Sequence, residues 1–120
     1  MKQRIAILSD IHGNTTALEA VLNDAKELGA TEYWLPGDFF LPGPGGNDLM
    51  DLLEGLPITV KVRGNWDDCV LEALDGVYGL EDPQEIQLLR LTQYLMERLD
   101  TRHIDWLRSL PLLDKIEVDG

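Results

Sequence analysis

The sequence predicts an α/β fold: a parallel βαβαβ core followed by helices. Three observations carry this. Short strand-like runs stand at residues 5–8, 32–35 and 58–62, helical patterns separate them, and the pattern after residue 65 is mostly helical. Strand, helix, strand, helix, strand in that order argues for right-handed βαβ units and a parallel sheet. Helices are then expected on both faces of that sheet.

The elements follow in chain order. Ile5-Ala6-Ile7-Leu8 is wholly apolar and bounded by polar residues, the mark of a strand buried on both faces. Asp10-Ile11-His12-Gly13-Asn14 is turn-like. Thr16-x-x-Glu19 matches a capping box and predicts a helix start near Thr16. Leu18, Val21, Leu22, Ala25 and Leu28 then recur at helical spacing, and Gly29 is placed to stop the helix. Residues 32–35 form the second strand, closed by Pro36-Gly37. The segment 36–46 holds three prolines and four glycines, so it reads as a loop. Asn47 is placed to cap a helix through Leu53, and residues 58–62 form a third buried strand.

Beyond Asn65, Asp82-Pro83-x-Glu85 supplies a cap, a proline at the first helical position and a box glutamate. Leu88, Leu91, Leu95 and Leu99 give that helix an apolar stripe, able to face the sheet or a partner. A short helix over 101–110 stops at Pro111. Lys115-Ile116-Glu117-Val118 alternates polar and apolar, predicting an antiparallel or edge strand. No internal repeat or linker interrupts the chain, so its 120 residues read as one domain.

Charge narrows the function. A net charge of −12 repels nucleic-acid backbones and anionic membranes, which excludes broad capture of long nucleic acid or a membrane surface. A phosphate substrate stays compatible if bound divalent metals reverse the local sign. The single cysteine, Cys69, allows no internal disulfide and fits a reducing compartment. The apolar run after Met1-Lys2-Gln3-Arg4 ends at Ser9-Asp10, too short for a signal peptide. No run reaches the ~20 apolar residues of a membrane span. The expectation is a soluble, cytoplasmic protein.

Polar motifs stand directly after each predicted parallel strand: Asp10-x-His12, Gly37-Asp38 and Gly64-Asn65-x-Asp67. In open α/β sheets ligands bind at the carboxyl ends of strands, so three strand ends would deliver these residues to one crevice. Asp10 and His12 offer a hard oxygen and a borderline nitrogen, suited to a first-row divalent metal. Asp38 follows a glycine, which lets the backbone approach, and its two oxygens could bridge two cations. Asn65 offers a carbonyl oxygen to a metal and an NH₂ to a phosphate oxygen. Two metals about 4 Å apart would activate a bridging hydroxide for in-line attack at phosphorus. Singly, each motif has a plainer reading as a turn or a surface histidine; their shared register at strand ends favours the metal site.

The string Leu8-Ser9-Asp10-Ile11-His12-Gly13-Asn14 resembles the opening signature of the calcineurin-like metallophosphoesterases. Gly37-Asp38-x-x-x-x-Gly43-Pro44 and Gly64-Asn65-Trp66-Asp67 resemble the second and third motifs of their small bacterial and archaeal phosphodiesterase branch. The resemblance spans residues 5 to 67 in matching order. It implies an αββα sandwich of two packed sheets, with Asp10 and His12 on the first metal, Asp38 bridging and Asn65 on the second. It also gives Asn65 and Asp67 places in the catalytic set, Asp67 in a supporting role. The metals implied are two of manganese, iron, zinc or nickel, with manganese favoured.

The sequence departs from the family pattern twice. Trp66 stands where many members carry a histidine that helps protonate the leaving group or hold the substrate; packing is the better reading of its ring, stacking on a nucleobase the lesser. The lone histidine and Gly-His-x-His that complete the family's site have no counterpart, because His12 and His103 are the only histidines. His103, within Arg102-His103-Ile104-Asp105-Trp106, reads as a surface or helix-edge residue. Residues 1–120 are therefore expected to be a metallophosphoesterase domain lacking its C-terminal part, with the remaining ligands beyond Gly120. The leading function is metal-dependent hydrolysis of a phosphodiester, a phosphomonoester, or a nucleotide or nucleoside polyphosphate. The alternative is a non-catalytic binding or scaffold module on the same fold. A nucleotide-binding domain of another type fits poorly, because no Gly-x-x-x-x-Gly-Lys or Gly-x-Gly-x-x-Gly occurs. A phosphoaspartate enzyme would want aspartate at His12. Exact substrate, metal identity, general acid and oligomeric state are not written in these residues.

Overall fold

The computed structural model describes residues 2–76 and 82–118. β1 (Ile5–Ile7), β2 (Glu32–Leu35) and β3 (Ile58–Lys61) form one parallel sheet in the order β1-β2-β3. α1 (Thr15–Glu27) crosses from β1 to β2, and α2 (Asn47–Leu53) from β2 to β3. α3 (Asn65–Leu74), α4 (Pro83–Met96) and α5 (Thr101–Ser109) follow.

The strand order corrects two expectations. Crossovers of one hand that advance a sheet in one direction leave their helices on one face. The core shows this: Leu18 of α1, Leu49 of α2, Val70 of α3, Leu95 of α4 and Leu107 of α5 join Leu35 of β2 in a single cluster. Helices thus cover one face among the described residues. On the other face Ile5 and Ile7 stand in register with Glu32 and Trp34, and Trp34 Nε1 donates to Thr59 Oγ1. No described element covers that face, so β1 is not buried on both faces and Ile7 is 59% exposed. The second sheet of the sandwich is not among the described residues.

The helix boundaries follow from local chemistry. Asn14, not Thr16, caps α1: its Oδ1 accepts from the Ala17 N–H at 3.0 Å. Gly29 takes φ +79° just past the end of α1, a left-handed turn that glycine enters freely. Asn47 is the first residue of α2 rather than its cap, and Asp48 Oδ1 accepts from the Gly46 N–H instead. The Asn47 side chain pairs with Asp100, the cap of α5, which ties those two helix starts together. At α4, Asp82 accepts from the Gln84 N–H and Pro83 opens the helix, as expected. Leu95 and Leu99 of the predicted stripe are buried, and Leu88 and Leu91 lean on the same core.

Residues 115–118 form no strand. A strand exists through its ladder, and no described segment pairs with them, so the alternation of Ile116 and Val118 leaves both exposed. His103 is the other correction. It is 4% exposed on the inner face of α5, where positions 103, 104 and 107 are all buried.

Candidate metal centre

The segments leaving β1 and β2 stay side by side after the strands end. Asp10 N–H donates to Gly37 O, His12 N–H to Asp38 O at 2.8 Å, and Gly13 N–H to Phe39 O at 2.8 Å. In return, Gly43 N–H donates to His12 O and Gly45 N–H to Gly13 O. Side chains at 10, 12 and 38 are brought together by this knitting.

The backbone there is strained. Asp10, His12 and Asp38 sit at φ +57°, +49° and +60°, and Leu41 at +51°. A left-handed non-glycine residue costs on the order of 1–2 kcal/mol, least for Asp, Asn and His. Such residues persist where surrounding bonds over-determine them, and they cluster at functional sites. Here all three chemical residues are among the four strained ones.

Their geometry suits a cation. The ligand atoms of Asp10, His12 and Asp38 lie within 4.8 Å of one another. His12 Nε2 is 3.5 Å from Asp10 Oδ1 and 4.0 Å from Asp38 Oδ2. His12 Nδ1 is 2.9 Å from the Leu41 carbonyl, so in the neutral ring Nδ1–H donates there and the Nε2 lone pair faces the carboxylates. Burial, above all, pushes the Asp38 carboxyl above the usual carboxylate range. The neighbouring Asp10 and Asp67 carboxyls add to this, while the Trp66 N–H and His12 oppose it. Among the described residues no Lys or Arg pairs with Asp10 or Asp38. Two carboxylates and an oriented imidazole without a protein cation make a donor set that a divalent metal fits.

A family comparison decides the kinship. The family model of calcineurin-like phosphoesterases matches residues 3–119. The chain belongs to that family. An uncharacterised protein of Methanocaldococcus jannaschii is 34% identical over 124 aligned positions, covering 100% of this chain and 47% of the relative. Symmetrical bis(5'-nucleosyl)-tetraphosphatases of Salmonella paratyphi A and Escherichia coli are 31% identical over 109 positions, covering 89% of this chain and 37% of theirs. A metallophosphoesterase from Sphaerobacter thermophilus superposes with a TM-score of 0.67 at 31% identity, over 92% of this chain and 42% of that one. The chain thus spans less than half the length of these calcineurin-like relatives.

The other residues singled out in the sequence fall as follows. Asn65 opens α3 beside Asp38: a Cβ at Gly64 would overlap the Asp38 carboxylate, and the Trp66 N–H donates to Asp38 Oδ1 at 2.9 Å. The Asn65 residue itself is exposed. The Trp66 ring meets His12 edge-on, with centroids 5.6 Å apart at 80°, and leans on the core. That contact agrees with packing. His103 lies in the core with Nε2 unpartnered, so it is neither a surface residue nor part of the cluster. Asp67 is fully enclosed at 0% exposure and accepts only backbone N–H groups. The Leu41 carbonyl escaped sequence reading entirely; a backbone oxygen leaves no residue-type signal. A cavity of about 660 Å³ adjoins the cluster, lined by Asp10, His12, Asn14, Thr16, Pro44 and Asp48 among others.

Proposed function

We propose that this chain supplies the first metal corner and the bridging carboxylate of a two-metal phosphoester hydrolase. One observation carries the reading: Asp10, His12 and Asp38 converge from two strand ends in strained backbone, with no Lys or Arg paired to either carboxylate among the described residues. Asp10 and His12 would hold one divalent metal, Asp38 would hold it jointly with a second, and Asn65 would contribute to the second. Manganese is the favoured metal. When bound, the metals supply Lewis acidity toward a phosphoryl oxygen and acidify a water nucleophile.

This chain's own residues do the arranging. The Leu41 carbonyl keeps His12 Nε2 directed at the centre, and the Trp66 ring limits how far His12 can turn. The Trp66 N–H holds one Asp38 oxygen, leaving the other toward His12. The adjoining cavity gives a small phosphate ester or nucleotide room beside Asp10 and His12. The tetraphosphatase relatives support a small nucleotide substrate rather than long nucleic acid, as does the chain's net charge of −12. No helix among the described residues is long and apolar enough to cross a membrane. Localisation in the cytoplasm is part of the same reading. Further ligands of the second metal are not among the described residues.

The test is hydrolysis of a chromogenic phosphodiester with and without Mn²⁺. Asp38→Asn should lower metal-dependent turnover by about 10²-fold or more, the loss of several kcal/mol of transition-state stabilisation. Retained turnover would sink the bridging assignment. If the full-length protein binds Mn²⁺ but turns over neither phosphodiester, phosphomonoester nor nucleotide, the non-catalytic binding module is the correct reading.

A further inference from the structure

Asp67 is a charged side chain with 0% exposure, and no Lys or Arg pairs with it among the described residues. A buried carboxylate without a cation is costly unless its oxygens are satisfied. Asp67 satisfies them with backbone alone. Oδ2 accepts from the Asp38 N–H at 2.8 Å and the Gly64 N–H at 2.9 Å, and Oδ1 accepts from the Phe39 N–H at 3.0 Å. Those donors belong to two separate strand-end loops. One is the amide of the proposed bridging ligand, held at φ +60°; another directly precedes Asn65.

We propose that Asp67 is the positioning residue of the metal centre, clamping the Asp38 and Gly64 backbones so that the site is formed before metal arrives. The proposal rests on the metal-centre reading. Asp67 reaches no solvent, so it touches neither substrate nor metal and acts only through Asp38 and the Gly64-Asn65 peptide. One of the three bonds holds the amide of left-handed Asp38 itself, and the other two fix its neighbour Phe39 and the facing Gly64, which over-determines the strained backbone. Phe39 contributes the third donor while its own ring stays buried against Trp106, so the clamp is anchored in the core.

Two measurements on the protein test this. The first is amide hydrogen exchange of the metal-free wild type, in which the Asp38, Phe39 and Gly64 amides should already be protected. Amides that exchange freely, or become protected only when Zn²⁺ is added, would overturn pre-formation. The second is Mn²⁺ affinity of Asp67→Asn, followed by electron paramagnetic resonance. Asparagine keeps the shape but turns an NH₂ toward at least one N–H donor, and affinity should fall by about 10- to 100-fold. A folded Asp67→Asn with wild-type Mn²⁺ affinity and a merely lowered Tm would make Asp67 structural and overturn the proposal. Should that variant not fold, the exchange pattern alone decides. A wild type that binds no Mn²⁺ defeats the metal-centre reading, and the proposal with it.

Discussion

Gly64→Ala separates the metal centre from general stability. Gly64 has φ −90° and ψ 176°, which alanine adopts without strain, so the backbone itself gives no penalty. Reduced freedom of the unfolded chain would even favour alanine by about 0.4–1 kcal/mol. The cost comes from Asp38: the added Cβ lands on its carboxylate and 2.8 Å from its backbone nitrogen. Asp38 cannot retreat freely, because its N–H is held by Asp67 and its Oδ1 by the Trp66 N–H. Giving up the Trp66 bond loses a charge-assisted contact of about 1.5–3 kcal/mol, and the backbone at Asp38 must shift as well, so the expectation is a destabilisation of at least about 1–2 kcal/mol. The displaced carboxylate should weaken Mn²⁺ binding by about tenfold or more. Gly55→Ala is the matched control. It stands at φ +81° with open space where alanine's Cβ would go, so it loses about 1–2 kcal/mol to backbone strain alone. Thermal unfolding and Mn²⁺ titration should show a loss of stability in both variants but a loss of metal affinity only for Gly64→Ala. Equal metal affinity in the two would refute the reasoning.

Two further outcomes are expected. His103→Leu removes an unpartnered buried Nε2 and should leave stability unchanged or raise it by about 1 kcal/mol in thermal unfolding, with Mn²⁺ affinity untouched; weakened metal binding would make His103 a ligand. Asp75 is held below the usual carboxylate range mainly by hydrogen bonds from Arg108, at 2.6 and 3.0 Å. The unfolded chain therefore binds the proton first as pH falls, so the pair's stabilisation is present at neutral pH and lost as pH drops through the folded pKa. Asp75→Asn should lower Tm slightly at neutral pH and low salt and leave it unchanged in strong acid; both groups are exposed, so added salt should shrink the effect.

What the sequence made legible is what chemistry demands of side chains. Asp10, His12 and Asp38 could be read as candidates because a metal would need those atom types, and because short strand-like runs locate the strand ends that carry them. Exposure was less legible. The run at residues 5–8 looks the same whether one face of its strand is covered or both, and no described element covers the face that exposes Ile7. The order β1-β2-β3, with both crossovers advancing one way, puts the helices on one face. His103 was misread by residue type, although its spacing to Ile104 and Leu107 follows the buried face of α5. The alternation at 115–118 needs a neighbour that no described residue provides.

The least legible layer is the one that fixes the geometry. His12 is turned by a carbonyl of Leu41, 29 residues away, and Asp38 is held by its bonds to the Asp67 carboxylate and the Trp66 amide of α3. Backbone donors and acceptors are identical at every position, so no residue type marks them. Asp67 alone breaks that silence, because an acid at the third position of a helix is visible in the sequence. What it does there is not visible. A lone acid at a helix start ordinarily satisfies its own helix, as Asp67 does with Gly64, and reaching Asp38 and Phe39 requires two loops to meet. The candidate ligands could be read one residue at a time, whereas the arrangement of Asp10, His12 and Asp38 exists only once two strand ends are assembled.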